Sequence, residues 1–162
     1  MGKTILIASG KGGTGKTMFA ANIGALLAIE GKRVLLVDMD LGLRNLDLYL
    51  GLEDKIVYNV MDVLSGICSI SKAMVRDRRF ENLFFMAASP CIDDRDITQL
   101  HMKVLYEKLK KKFDYIIVDA PAGASDGLDV LAVEVDRAVV ITEAENASIR
   151  DADVVEKRLR NH

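Results

Sequence analysis

Residues 10–17, Gly10-Lys11-Gly12-Gly13-Thr14-Gly15-Lys16-Thr17, constrain this chain more than any other stretch. They match G-x-x-x-x-G-K-[ST], and they sit where that pattern works. The apolar run Ile5-Leu6-Ile7-Ala8 leads in as a strand, and a helical period through Phe19, Ile23, Leu26 and Leu27 leads out. Between the two, glycines let successive backbone N–H groups turn inward and wrap an anion. The helix aims its positive N-terminus at the same point. Lys16 supplies a full charge for the β- and γ-phosphates of a nucleotide, and the Thr17 hydroxyl a ligand for Mg²⁺. Lys11, following the first glycine, adds a second cation to the pull on phosphate.

The rest of the chain supplies more strands and the carboxylates this loop needs. Val34-Leu35-Leu36-Val37 is expected as a strand buried on both faces, as in a parallel sheet. It delivers Asp38-Met39-Asp40 to its C-terminal end, where open α/β sheets place ligands. Two carboxylates beside a triphosphate repel unless a cation lies between them. With Mg²⁺ present, Asp38 can hold metal-bound water and Asp40 can orient an attacking water; a pair of acidic turn residues is the alternative. Tyr115-Ile116-Ile117-Val118 is a further buried strand, with Asp119 emerging at its end to meet Mg²⁺ through water. Leu83–Met86 and Arg137–Ile141 bring the expected strands to five. Short helices are expected over 59–64 and 71–75. A longer one shows Leu100, Val104, Leu105 and Leu109 as its apolar face, with N-caps among Asp93-Asp94-Arg95-Asp96. On it His101 is a surface residue, and Lys110-Lys111-Lys112 a solvated helix end. Ser148 and Asp151 have capping-box spacing at the start of the last helix.

The run Lys11 to Thr17, Lys-Gly-Gly-Thr-Gly-Lys-Thr, resembles the deviant Walker A loop of the MinD/ParA family of dimeric P-loop ATPases. The likeness extends through Asp38 to Asp47, which is closer to switch I of the MinD branch than to that of the DNA-partitioning branch. It continues in Leu50-Gly51-Leu52, Val57-Tyr58-Asn59-Val60, Asp77 to Leu83 and Ala87-Ala88-Ser89. Asp119-Ala120-Pro121-Ala122-Gly123 resembles the family's switch II, whose backbone senses the γ-phosphate. The resemblance implies an α/β P-loop NTPase with a mostly parallel sheet flanked by helices on both faces. It implies ATP and Mg²⁺, and a homodimer in which Lys11 reaches the partner's nucleotide. Lys11, Lys16 and Asp40 take the catalytic roles, and Thr17, Asp38 and Asp119 surround the metal. Gly10, Lys11, Gly12, Gly13, Thr14, Gly15, Lys16, Thr17, Met18 and Gly123 surround the nucleotide. A switch in division-site placement, with MinC- and MinE-like partners, belongs to the same implication. Positioning of flagella or other cargo, and nucleotide binding without hydrolysis, are its alternatives.

Departures from the family pattern are specific. Met18 stands where a second threonine commonly meets the α-phosphate, a lost bond of about 1 kcal/mol. Thr142-Glu143-Ala144-Glu145 stands where the MinD branch has Thr-Asn-Pro-Glu. Related iron proteins of nitrogenase bridge a cluster between subunits with two cysteines, the second just after the strand that here ends in Asp119; Ala120 to Gly123 has none, so no cluster is expected. The family continues well beyond this length and ends in a membrane-binding amphipathic helix. The expectation is therefore one ATPase domain over 1–162, truncated at its C-terminus, with membrane contact only through a helix that this segment lacks. Arg150, Asp151 and Asp153 are secondary interface candidates.

The 162 residues suffice for one substantial core. A formal net charge of −2 provides no global basic field, so no nucleic-acid partner is expected. No apolar run approaches the roughly 18–20 residues that span a bilayer. The phosphate loop begins too early to leave room for a signal peptide. The expected compartment is the cytoplasm, with peripheral inner-membrane association for a longer form. Cys68 and Cys91 form no C-x-x-C pair and are expected as free thiols.

Overall fold

A computed structural model describes residues 1–40, 46–89 and 97–161. Among them six strands form one sheet: β1 (Lys3–Ser9), β2 (Val34–Asp38), β3 (Met74–Arg76), β4 (Leu83–Met86), β5 (Tyr115–Asp119) and β6 (Arg137–Ile141). Their order across the sheet is β3-β4-β2-β5-β1-β6. All neighbours run parallel except β3, which is antiparallel to β4 at one edge.

Side chains alternate along each strand, so apolar runs without polar interruption feed two cores at once. Ile7, Val34, Leu36 and Ile117 face α1 (Lys16–Ile29) and α2 (Leu46–Leu50). Leu6, Leu35, Val37, Ile116 and Val118 face the other layer. That layer comprises α3 (Val60–Leu64), α4 (Ile70–Ala73), α5 (Gln99–Leu109), α6 (Asp126–Ala132) and α7 (Asn146–Leu159). The expected mostly parallel sheet with helices on both faces is present.

Several local expectations are corrected. The segment expected as a helix over 71–75 divides: α4 ends at Ala73 and Met74–Arg76 becomes the edge strand. Pairing with β4 decides this against the weak preference of so short a helix. Beyond Lys16 at its start, the buried residues of α1 are Ala20, Ala21, Gly24 and Ala28, while Phe19 and Leu26 are exposed. Close approach to the sheet selects the small face. A Cβ on Gly24 would lie 2.8 Å from Leu36. On α5, Met102, Leu105, Tyr106 and Leu109 are buried and Leu100 and Val104 stand outside. The apolar period identified this helix but not its rotation.

Cap residues differ as well. Asp93 to Asp96 lie outside the described residues. The N-cap of α5 is Thr98, whose hydroxyl accepts from the His101 N–H while the His101 ring accepts from the Thr98 N–H. Lys110 is not a solvated helix end: its ammonium lies 2.8 Å from Asp136 and donates to the Glu134 carbonyl at 2.8 Å. Helix α7 begins at Asn146, so Ser148 lies inside the first turn and forms no capping box with Asp151. Its hydroxyl instead accepts from the Thr142 hydroxyl at 3.0 Å and the Glu143 N–H at 3.2 Å.

Candidate nucleotide site

Sheet register builds the site. Parallel pairing of β2 with β5 sets Asp38 beside Asp119, and pairing of β1 with β5 sets Ile7 beside Asp119. The Asp119 carbonyl accepts from the Met39 N–H at 2.9 Å, and the Ala120 N–H donates to the Ile7 carbonyl at 3.0 Å. Two carboxylates are thereby held side by side at the C-terminal edge, below the loop that leaves β1.

The loop is held open by backbone geometry. Gly13 and Gly15 are left-handed, with φ of 81° and 86°, a conformation costly for other residues. Gly15 is also the N-cap of α1 and provides no side-chain cap. The first N–H groups of that helix are left for an anion. Gly10 is required for a different reason. A Cβ there would fall 2.5 Å from Cβ of Asp151, so α7 packs directly against the start of the loop.

Within this frame the Lys16 ammonium lies 2.7 Å from Asp119 Oδ1, both side chains being buried. Among the described residues, the second Asp119 oxygen and the Thr14 hydroxyl are buried without partners. Asp38 is buried and accepts from the N–H groups of Asp40 at 2.9 Å and Leu46 at 3.3 Å. Desolvation pushes its pKa up to about 7, with the Asp119 charge adding to the rise. Partial burial and then Asp119 also raise Asp40, while Lys16 opposes them.

Crowded carboxylates with one unsatisfied oxygen suit a hard divalent cation. The available donors, the Thr17 hydroxyl and the Asp38 and Asp119 carboxylates, are the oxygen ligands Mg²⁺ accepts. Among the described residues no three His, Cys, Asp or Glu side chains form a metal cage. Mg²⁺ shared with nucleotide phosphates and waters needs none.

A cleft of about 850 Å³ opens over this floor, within the usual size range for small-molecule sites. The loop from Lys11 to Met18 lines it together with Asp40, Leu48, Tyr49, Pro121 and Ala122. Gly12 and Thr17 are among the lining residues, while Gly10 is not. Gly123, with φ of 94°, donates its N–H to the Ser9 carbonyl at 2.8 Å. Contact of that N–H with a phosphate requires this bond to open.

Lys11 points its ammonium at two carboxylates, 2.8 Å from Glu143 and 3.0 Å from Glu145. Hydrogen bonds to both hold its pKa above the ordinary lysine value. Neither glutamate was flagged as a site residue by the sequence. The visible signal was Glu143 replacing asparagine, but nothing in a linear reading gave its partner. Leu48 and Tyr49 were missed too. They follow 41–45, the part of the switch-like segment that lies outside the described residues.

A family model described as ParA: NUBPL iron-transfer P-loop NTPase matches residues 1–160. The septum site-determining protein MinD of Bacillus subtilis is 42% identical, with all of this chain aligned to 67% of its length. The chain belongs to the MinD/ParA family.

Other MinD proteins place this family member further. That of Synechocystis is 48% identical over 96% of the chain and 58% of its own length. The MinD complexed with Mg-ADP from Pyrococcus horikoshii superposes with a TM-score of 0.88 at 31% identity, covering 99% of this chain and 66% of that one. MinD in the MinC:MinD complex of Aquifex aeolicus gives 0.83 at 42% identity, covering 98% and 64%. This MinD/ParA chain thus spans between about half and two thirds of the length of the relatives it matches. Among the described residues, the cleft lining holds no cysteine to match the iron-transfer description. Cys68 lines a separate groove against α5, its thiol pushed up by desolvation, and Cys91 lies outside the described residues.

Proposed function

We propose that this chain carries the catalytic core of a MinD-like, Mg²⁺-dependent ATPase that dimerises around ATP and acts as a switch in placing the division septum. The observation that supports it most is the convergence of Lys16, Asp38 and Asp119 beneath a phosphate loop that bears a second lysine. The solved Mg-ADP complex of a MinD relative supports the same choice of ligand.

In this mechanism the N–H groups of the loop and the first turn of α1 wrap the phosphates. Lys16, released from Asp119, carries its charge to the β- and γ-phosphates. Thr17, Asp38 and Asp119 would hold Mg²⁺, which when bound offsets charge on the transferring phosphoryl group. Asp40 stands at the cleft wall to orient the attacking water. Lys11 of each protomer acts on the nucleotide of the other. Met18 lines the cleft without a hydroxyl to offer the α-phosphate.

A MinC-like partner belongs to the proposal because a relative was solved with MinC; a MinE-like activator and cytoplasmic residence come with it. No described helix is long and apolar enough to cross a membrane. The test is sedimentation of the chain with Mg-ADP and then with a non-hydrolysable ATP analogue. A monomer with the first and a dimer with the second is expected; one mass in both would refute the switch.

A further inference from the structure

Strand register sets a second feature at the mouth of the cleft. Strand β1 pairs with β6 so that Ser9 lies beside Ile141. Two residues past each of these come Lys11 and Glu143, and their side chains meet at 2.8 Å. Glu145, two residues further on and the N-cap of α7, reaches the same ammonium at 3.0 Å. Both ends of this contact are anchored. The Lys11 carbonyl accepts from the Ser9 hydroxyl at 3.0 Å, and the Glu143 N–H is tied to Ser148.

We propose that Glu143, acting with Glu145, holds Lys11 within its own protomer and thereby sets how much ATP is needed before two copies associate. This rests on the reading that Lys11 acts on the partner's nucleotide. Glu143 and Glu145 are positioning residues: they act through Lys11 and not on phosphate.

The physics favours a hold that can be released. Side chains of Lys11, Glu143 and Glu145 are 35%, 48% and 62% exposed. Ion pairs this wet are weak and screened, so a triphosphate bearing several charges outcompetes them. The family pattern places a neutral asparagine at Glu143, which would leave one carboxylate on the lysine. This chain has two. A lysine that is free for only a fraction of the time weakens association by that fraction. A symmetric dimer needs both lysines released, so the factor enters twice.

The experiment compares the wild-type chain with Glu143→Asn, Glu145→Gln and Lys11→Ala. First, amine acylation by a water-soluble succinimidyl ester is followed at Lys11 by peptide mass spectrometry, without nucleotide. Removing either carboxylate should make Lys11 react several-fold faster, with the exposed Lys72 as internal reference. Second, Mg²⁺ with a non-hydrolysable ATP analogue is titrated while dimer mass is followed by sedimentation. Half-dimerisation of Glu143→Asn should need roughly threefold to tenfold less analogue, with Mg-ADP affinity of the monomer unchanged. An unchanged Lys11 rate in both glutamate variants, with a dimer that still depends on Lys11, overturns the hold alone. Weaker dimerisation of Glu143→Asn overturns the threshold. A dimer that forms equally with Lys11→Ala overturns the underlying reading of Lys11, and the threshold with it.

Discussion

Replacing Asp38 by asparagine should stabilise the nucleotide-free chain at high pH and destabilise it at low pH. In the folded chain desolvation raises this carboxyl from 3.8 to about 7. The unfolded chain therefore releases the proton first as pH rises, and the folded state binds more protons between about pH 4 and pH 7. The stabilising contribution is complete below the lower value and is lost as pH climbs through the upper one. At roughly 1.4 kcal/mol per pH unit, ionising Asp38 in place costs at most about 4 kcal/mol. Asparagine removes that cost but keeps only one of the two acceptors now used by the Asp40 and Leu46 N–H groups. The lost bond returns about 1–2 kcal/mol. The net expectation is a variant more stable than wild type by about 2 kcal/mol at pH 8, and less stable by at most about 1 kcal/mol at pH 4.5. Urea unfolding in EDTA at the two pH values measures the difference directly. Stability curves that run parallel across this range would show that Asp38 is not held protonated and would refute the argument.

Lys16→Ala should abolish measurable ATP affinity in calorimetry, and near-normal binding would remove this loop as the site. The same substitution leaves Asp119 buried without its cation and should lower stability by about 3–5 kcal/mol; Asp119→Asn in that background should recover part of it. Asp40→Ala should still form the analogue-bound dimer while phosphate release slows on the order of 10²-fold or more, because only water orientation is lost. Normal turnover would reassign Asp40. Gly24→Ala should cost about 1–3 kcal/mol in denaturant unfolding, since the added methyl meets Leu36 at 2.8 Å; a neutral result would mean that α1 can rise from the sheet.

The sequence carried the site's floor because that floor is local. Loop, strand ends and carboxylates each announce themselves through apolar runs ending in Asp38 or Asp119, and parallel register does the rest. What it did not carry depends on rotation and distance. Leu100 and Val104 fit the helical period as well as Met102 and Tyr106 do, and only packing against α6 and the sheet decides which pair goes inside. Met74–Arg76 is too short to declare itself, and becomes a strand because β4 offers a free edge. Lys110 finds Asp136 and Lys11 finds Glu143 across more than twenty intervening residues. Charge runs in a sequence reveal their signs and not their partners.

The bare α-carbon of Gly10 against Asp151 has a mechanical meaning. Side chains ordinarily act as cushions between a helix and a loop, taking up small displacements by changing rotamer. Here that cushion is missing, so α7 and the beginning of the phosphate loop bear on each other through backbone. A protein leaning on the outer face of α7, where Arg150 and Asp153 are exposed, pushes a rod whose far side touches the triphosphate cradle. Force applied at the surface thus arrives at the start of the loop without passing through a single flexible side chain at Gly10.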